Sequence, residues 1–397
     1  MGDLPGKNTK IVAVAGVGQW QPNDEAADPG WWRPKDETAD PGRWRLKDGT
    51  AGSNSLFIPI FVADKIFLMD TVVSGIRSTG NLHLGNYFGA LKNFLRMQDE
   101  NNCYFFVADY HSLTTHPHPD DIHANIRQVL AEYLAAGIDP EKATVYVQSD
   151  VPEVAELYLL MNMNAYVGEL ERTTSFKEKI RQHPDNINAG LLTYPVLMAA
   201  DIIIHKAHKV PVGKDQEQHL EMTRRFARRF NTMYGVDYFP EPDAYNFGKQ
   251  LIKIPGLDGT GKMGKSEGNG IFLADTPAEI RKKVMRAVTD AGPEKENSEP
   301  SEPVKNLFAL MDVVSEPSTV KQFRDQHSRC VIRYGDMKKQ LAEDIIRVTE
   351  PIRLRINEII NDPVYLGRVV AQGAEKARAS ASATIKEVRE IIGYRPF

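Results

Sequence analysis

The sequence predicts an α/β fold in which a parallel sheet precedes a helical region, and three observations lead to this fold class. From Met69 to about Asp275, short strand-like runs alternate with helical stretches, an order that produces a parallel sheet with right-handed crossovers. A glycine-rich turn directly follows the first strand-like run, and beyond Asp275 apolar residues recur at helical spacing. We therefore expect a Rossmann-like parallel-sheet domain, an all-helical C-terminal domain and a disordered N-terminal tail.

The predicted strands are short runs rich in β-branched and aromatic residues, at Thr71–Ser74, Tyr104–Asp109 and Thr144–Gln148. Helical stretches such as Ile122–Gly137 separate them. Parallel sheets bind ligands at the carboxyl ends of their strands. The turn after Ser74 is therefore where we expect a site.

The domain boundaries follow from changes in this pattern. We place the tail at 1–68, the α/β domain at 69–275 and the helical domain at 276–397. In the last region, Ala278–Val288, Met337–Asn361 and Gly373–Ile392 have apolar residues on one helical face and charges on the other.

The tail contains a 12-residue repeat headed by Trp20, Trp32 and Trp44. Its units are rich in proline, glycine and charge and offer little apolar surface to stack, so we expect disorder rather than a solenoid. A module that binds aromatic-recognising partners is the weaker alternative. Because Met69 stands just before the first strand, we also hypothesise that translation begins at Met69.

Composition limits the class of protein. The hydrophobic and charged contents of 42% and 26% are ordinary for a globular protein, and the apolar run at 56–69 is interrupted and too short for a bilayer span of about 20 residues. Cys103 and Cys330 have no Cys-x-x-Cys partner, which favours reduced thiols, a cytoplasmic location and no zinc or iron–sulfur site. With a net charge of −4, any RNA binding must come from local basic patches.

Two short segments predict an ATP site. The first is His83-Leu84-Gly85-Asn86, where glycines and a helix start can approach phosphate groups. The second is Gly261-Lys262-Met263-Gly264-Lys265-Ser266, a glycine-rich loop with two lysines that can neutralise charge on a triphosphate.

The two segments resemble the HIGH and KMSKS signatures of class I aminoacyl-tRNA synthetases. The stretch 190–201, Gly-Leu-Leu-Thr-Tyr-Pro-Val-Leu-Met-Ala-Ala-Asp, resembles the specificity helix of the bacterial-type tryptophanyl-tRNA synthetase family. Further matches in the family's order lie at 168–172, 176–179, 211–216 and 287–290, so the resemblance runs from about Met69 to the C-terminus. So many ordered matches make a chance resemblance very improbable.

The resemblance implies activation of L-tryptophan by ATP with Mg²⁺, which the phosphates and water would hold without a protein metal site. The substrate carboxylate is already ionised, so positioning and charge stabilisation replace a general base. The implied catalytic residues are His83, Asn86, Lys179, Lys262 and Lys265. The implied ATP-binding residues are Gly75, Arg77, Ser78, Thr79, Gly85, Asn86, Gly213, Asp215, Met263 and Ser266.

For tryptophan, the resemblance implies that Asp201 accepts the indole N–H and that Met198 packs on the ring. It assigns Tyr194 and Gln216 to the α-amino and carboxylate groups and places His111 nearby. Met198 or Asp201 alone would be an ordinary core or helix-surface residue.

Two positions depart from the family pattern. Gly264 stands where serine is usual, and Arg77-Ser78 stands where Gln-Pro is frequent. Glycine at 264 removes a hydroxyl group and makes the lysine loop more flexible. Arginine at 77 leaves open whether this residue contacts ATP as the family's glutamine does.

The implied partners are tRNA(Trp), L-tryptophan and a second copy in a homodimer, with no membrane. The apolar stretch 157–163 is either core or subunit contact. The arginines at 224, 225, 228 and 229 either touch tRNA phosphate or belong to a solvated helix face. His116 and His118 lie in a proline-rich turn, where a solvated loop is favoured over a metal site. The rival functions are a tyrosyl-tRNA synthetase, another nucleotidyltransferase with a HIGH-like motif, and a catalytically silent paralogue with a binding role.

Overall fold

The computed structural model describes residues 69–182, 184–213, 216–245, 254–259, 261–264 and 267–395. The repeat tail and the predicted site residues Asp215, Lys265 and Ser266 lie outside these ranges, so their predictions stay predictions.

The described strands form one parallel sheet. They are β1 (Thr71–Arg77), β2 (Asn102–Ala108), β3 (Ala143–Val147), β4 (Lys209–Val210) and β5 (Asp243–Ala244), in the order β3-β2-β1-β4-β5. All four neighbouring pairs are parallel. The predicted fold class is confirmed. The order reverses direction between β1 and β4, the place where such sheets bind ligands.

Helices connect and follow the strands. Those up to β5 are α1 (Leu84–Asn86), α2 (Lys92–Glu100), α3 (Asp109–Ser112), α4 (Pro119–Ala136), α5 (Glu153–Asn162), α6 (Val167–Leu170), α7 (Thr174–Gln182), α8 (Ala189–Ile203) and α9 (Glu217–Tyr234). After β5 come α10 (Pro277–Met285), α11 (Glu302–Val314), α12 (Pro317–Ser328), α13 (Tyr334–Ile360) and α14 (Pro363–Ile391). A π-helical segment, Tyr87–Leu91, joins α1 to α2.

The sheet separates two hydrophobic cores. Successive strand residues point to opposite faces, so Val72 and Phe105 belong to one core while Val73 and Phe106 belong to the other. Helices α10 to α13 add side chains to the first core. The end of α14 adds Ala377 and its neighbours to the second. The boundary at 275/276 remains a prediction, and the C-terminal helices pack directly on the core of the sheet.

Helix α14 packs closely on β3. A Cβ added at Gly373 would overlap the carbonyl oxygen of Val145, so only glycine permits this approach. Further along, His205 lies between the Tyr146 hydroxyl at 3.0 Å and the Ser380 hydroxyl of α14 at 3.1 Å. Burial lowers the pKa of His205 to about 3, so the ring is neutral near pH 7.

Among the helices described from Met69 to Arg395, none combines the length and the hydrophobicity needed to cross a bilayer.

Candidate active site

The candidate site lies at the carboxyl edge of the sheet. Arg77 is the last residue of β1, His111 lies on the short helix that follows β2, and Gln148 comes directly after β3. Gly213 follows β4 on the other side of the point where the strand order reverses. The topology thus brings to one edge polar residues that are far apart in sequence.

His83 begins the helical segment after β1. Its Nδ1 accepts a hydrogen bond from the Asn86 amide N–H at 3.3 Å, and Asn86 Oδ1 accepts the His83 N–H at 3.0 Å. Because Nδ1 is an acceptor, the ring proton of a neutral imidazole is on Nε2. Nε2 is thus the donor nitrogen of the ring in that form.

Two predicted glycines are required by the protein's own packing. A Cβ at Gly85 would come within 2.8 Å of the His83 imidazole, and one at Gly75 within 2.5 Å of the Phe106 ring. The sequence predicts that these glycines let the nucleotide approach the main chain. The structure adds that Gly85 makes room for His83, and Gly75 makes room for a core side chain.

The lysine loop and the His83 turn are adjacent. The backbone of Lys262 pairs with Pro255, and the segment that follows the loop returns to the His83 turn, where Leu84 N–H donates to the Ile271 carbonyl at 2.9 Å. The two predicted halves of the ATP site are therefore joined through a few residues of main chain.

The structure shows what surrounds Met263 and Gly264 in the lysine loop. The Met263 side chain is 1% exposed and packs in the core, so only its main chain can contact a nucleotide. A Cβ at Gly264 would overlap the carboxylate of Glu267. The space where the family's usual serine would begin is thus taken up by a flexible acidic side chain.

Arg77 presents a buried guanidinium edge to the site. Its Nε and Nη2 atoms are buried and make no hydrogen bond to any described residue. Burial and the Arg77 charge lower the pKa of Lys179, while burial raises the pKa of Tyr194 and the Arg77 charge opposes that rise. The three side chains are therefore within electrostatic reach of one another. An Nε–Nη2 edge donates two parallel hydrogen bonds, the geometry that suits a carboxylate or a phosphate.

The turn after Arg77 is already partly bonded. The buried Ser78 hydroxyl donates to Ser112 Oγ at 3.0 Å, and that hydroxyl donates to the Ala108 carbonyl. Thr79 is exposed, and its backbone N–H donates to the Arg77 carbonyl at 2.9 Å. Ser78 therefore ties β1 to the helix after β2, which adds a structural role to the predicted contact with ATP.

Asp201 is held by two donors that follow separate strands. Its Oδ2 accepts from His111 Nε2 at 2.8 Å and its Oδ1 accepts from Gln148 Nε2 at 2.7 Å. All three side chains are buried, with Gln148 completely so. Burial raises the pKa of Asp201, and the hydrogen bonds from His111 and Gln148 act in the opposite direction. A carboxylate has about four acceptor positions, so it can accept a further donor.

Other predicted tryptophan-binding residues surround this carboxylate. Tyr194 and Met198 lie on α8 with Asp201 and are half-buried. The Tyr194 ring lies 4.3 Å from the His111 ring, centroid to centroid. Gln216 Oε1 is 2.8 Å from Nδ1 of His219, whose ring is 5.8 Å from that of Tyr194. Tyr194, Met198 and Asp201 follow one another at spacings of four and three residues, which places them on one face of α8. His111 contacts two of them, and Gln216 is linked to Tyr194 through His219.

Gln148 was missed by the sequence analysis. Its Oε1 accepts the Tyr110 N–H at 3.1 Å, which fixes the amide so that Nε2 faces Asp201. A polar residue directly after a buried strand of a parallel sheet was the available signal, because that position lies at the ligand-binding edge.

The structure describes the residues of the three open alternatives, which stay open. In the stretch 157–163, Leu157 and Met161 are core, whereas Leu159 and Met163 are exposed. The arginines at 224, 225, 228 and 229 form ion pairs with Glu221, Glu241 or Glu169, so they already have partners within the chain. His118 caps α4.

Comparisons with known proteins agree with this geometry. A family model described as "tRNA synthetases class I (W and Y)" matches residues 69–350. A tryptophan–tRNA ligase of Porphyromonas gingivalis is 67% identical over 327 residues, which are 82% of this chain and 100% of that relative. One from Clostridium tetani is 40% identical over 82% of this chain and 96% of its own length. The crystal structure of a Campylobacter jejuni tryptophanyl-tRNA synthetase complexed with ADP and tryptophan has a TM-score of 0.73 and 33% identity, covering 81% of this chain and 99% of that one.

Proposed function

Because the chain belongs to the class I tryptophanyl-tRNA synthetases, we infer that it activates L-tryptophan with ATP and transfers it to tRNA(Trp). In the first step the tryptophan carboxylate attacks the α-phosphorus of ATP, pyrophosphate leaves and tryptophanyl-adenylate forms. In the second step the 2′-hydroxyl of the terminal adenosine of the tRNA attacks the activated carbonyl, and AMP leaves. The observation that carries this function is the 67% identity over the whole length of a tryptophan–tRNA ligase.

We propose that positively charged side chains stabilise the transition state of the first step. The Arg77 edge, Lys179 and Lys262 would stabilise the negative charge on the attacked phosphorus and the departing pyrophosphate, with His83 Nε2 as a further donor. Fixed charges in a site that excludes water act more strongly than the same charges in solution. Mg²⁺ would arrive on ATP, held by its phosphate oxygens and by water.

Tryptophan would be selected by the buried acceptor at Asp201. The indole N–H is a donor only, and an amino acid without it would leave that carboxylate without its partner. The side chains of His111 and Gln148 support this role because they fix the carboxylate orientation. A tyrosine-specific enzyme, the closest rival, is not favoured by the relatives.

We also propose that the chain forms a homodimer and works in the cytoplasm, where tRNA is charged. The exposed side chains of Leu159, Met163, Tyr166 and Val167 support the dimer, because they give one short segment an unusual amount of apolar surface.

The test is ATP–pyrophosphate exchange with each of the 20 amino acids separately. Exchange with tryptophan alone is the expected result. Exchange with tyrosine would show that the chain is a tyrosyl-tRNA synthetase instead. With folded protein, no exchange at all would favour the silent paralogue.

A further inference from the structure

Asn269 is a buried amide next to the lysine loop, and neither its position nor its contacts are explained by the roles described above. It is 4% exposed. Its Oδ1 accepts the Gly264 N–H at 3.0 Å, and its Nδ2 donates to Asp258 Oδ2 at 3.1 Å and to the Lys262 carbonyl at 3.4 Å. One side chain therefore bonds the main chain on both sides of Met263.

The orientation of this amide is fixed by its partners. A backbone N–H must face the amide oxygen, and a carboxylate must face the amide nitrogen. The main chain contributes as well, since the Leu257 N–H donates to the Asn269 carbonyl at 3.0 Å. A Cβ at Gly256 would overlap Asn269 Nδ2, so the neighbouring chain has the glycine that the amide needs.

Asn269 also begins the segment that returns to the His83 turn. Two residues later, Ile271 accepts the Leu84 N–H, and Phe272 pairs with His83. The loop that carries Lys262 is thus connected to the turn that carries His83 through a short segment anchored at Asn269.

We propose that Asn269 is a positioning residue that holds the main chain of Lys262–Gly264 against the His83 turn, so that the Lys262 ammonium is aligned with the phosphates of ATP. This role rests on the proposed activation of tryptophan. Misplacement of a catalytic group by about 1 Å can lower a rate about 100-fold. The amide should therefore influence ATP turnover far more than the binding of tryptophan, whose proposed pocket is built by other elements.

The experiment compares Asn269→Ala with Asn101→Ala in the full chain. Asn101 is a suitable control because it is equally buried at 4% and its Nδ2 donates to a backbone carbonyl, that of Met97, at 3.1 Å. It lies directly before β2, at the amino end of that strand, whereas the proposed site lies at the carboxyl ends of the strands. Each variant is measured by tryptophan-dependent pyrophosphate exchange, by thermal unfolding and by hydrogen–deuterium exchange of the Gly264 amide.

We expect Asn269→Ala to lower kcat/KM for ATP about 10- to 100-fold, with KM for tryptophan within about twofold of the parent. The Gly264 amide of this variant should exchange hydrogen for deuterium faster, because the acceptor Oδ1 is gone. Asn101→Ala should change neither kcat/KM for ATP nor the deuterium-exchange rate of Gly264. Equal kinetics and equal amide exchange in the two variants would overturn the proposal.

If Asn269→Ala does not fold, Asn269→Ser and the near-isosteric Asn269→Asp replace it. Both variants should lose ATP turnover, because neither side chain donates to Asp258 and the Lys262 carbonyl from the position of Nδ2. If the parent protein shows no tryptophan-dependent pyrophosphate exchange, the proposed function fails. Hydrogen–deuterium exchange of the Gly264 amide then still reports on Asn269. An unchanged deuterium-exchange rate in Asn269→Ala would reject its positioning role.

Discussion

At the scale of single residues, the carboxylate of Asp201 is oriented by two buried side chains that follow different strands. His111 and Gln148 each occupy one of its oxygens. A buried acceptor that loses its donor pays the full desolvation penalty of about 1–3 kcal/mol. The selectivity expected at this site therefore depends on residues that need not touch the substrate.

The first prediction concerns Gln148→Leu. Removing the donor to Asp201 Oδ1 should raise KM for tryptophan about tenfold, since about 1.4 kcal/mol corresponds to a factor of ten. KM for ATP should change little. Pyrophosphate exchange at varied tryptophan and ATP measures both values.

Gln98→Leu is the matched control for this change. Gln98 is also buried, and its amide also makes two hydrogen bonds, in this case both with the backbone: it donates to the Gly137 carbonyl at 3.2 Å and accepts the Asp139 N–H at 2.9 Å. Its helix, α2, packs in the first core, whereas α8 packs in the second. Equal increases in KM for tryptophan in the two variants would show that Gln148 acts only through general stability.

The second prediction concerns pH. Burial and the nearby Arg77 charge lower the pKa of Lys179 from the usual lysine value. The ammonium form, which binds phosphate, exists below that pKa and is lost as the pH rises through it. The value of kcat/KM for ATP should therefore fall at a lower pH than an ordinary lysine would produce.

Lys179→Arg tests this, because a guanidinium stays charged in this range. The alkaline fall should move to higher pH in this variant, whatever the change in the maximum rate. Lys177→Arg, at an exposed position of the same helix, should leave the profile unchanged. A profile that is identical in all three proteins would exclude Lys179 as the titrating group.

At the scale of elements, helix α14 links the C-terminal region to the sheet. It packs on β3 through Gly373, and polar contacts follow along its length, including Arg389 with Glu156 at 2.6 Å. The part of α14 from Ala377 onward therefore belongs to the second core and is bonded to α5.

The third prediction compares two glycines of this helix. Gly373→Ala forces α14 away from Val145, so we expect a loss of stability of about 1–3 kcal/mol or more. Gly367→Ala meets nothing within 4 Å and should stabilise the helix by up to about 1 kcal/mol. Chemical denaturation measures both, and a stabilising Gly373→Ala would contradict the close packing.

At the scale of the whole molecule, the match to the family model begins at residue 69. The fourth prediction is that a chain beginning at Met69 keeps the tryptophan-dependent exchange activity of the full chain. It contains every strand and helix described here. Exchange rates of the two purified proteins, compared at equal concentration, provide the measurement; a large loss on truncation would give the tail a catalytic role.

The fifth prediction concerns assembly. Met163→Glu places a charge in the exposed apolar segment around Met163 and should convert a dimer into monomer, as measured by sedimentation equilibrium. Val364→Glu, at an equally exposed apolar residue near the start of α14, should leave the dimer intact. A dimer that survives Met163→Glu would show that this segment is not the subunit contact.

The sequence alone determined the fold class, the first three strands, the helices α4, α10 and α13, and α14 from Gly373 onward, because the side-chain period of an element directly reflects which face it buries. Helix α14 begins ten residues earlier than predicted, at Pro363. The strands β4 and β5 are two residues long and carry no periodic signal, and the π-helical segment at 87–91 interrupts an otherwise ordinary helical pattern. Motifs supplied the predicted site residues, since local residue types are readable without knowing their neighbours.

Only the tertiary structure decided how these residues are held. Gln148 meets Asp201 across 53 positions, and Ser78 meets Ser112 across 34. Such pairs depend on strand order and on the register between strands, which periodicity does not encode. The division of the stretch 157–163 into core and exposed residues was decided in the same way, because burial depends on which elements pack against each face of a helix.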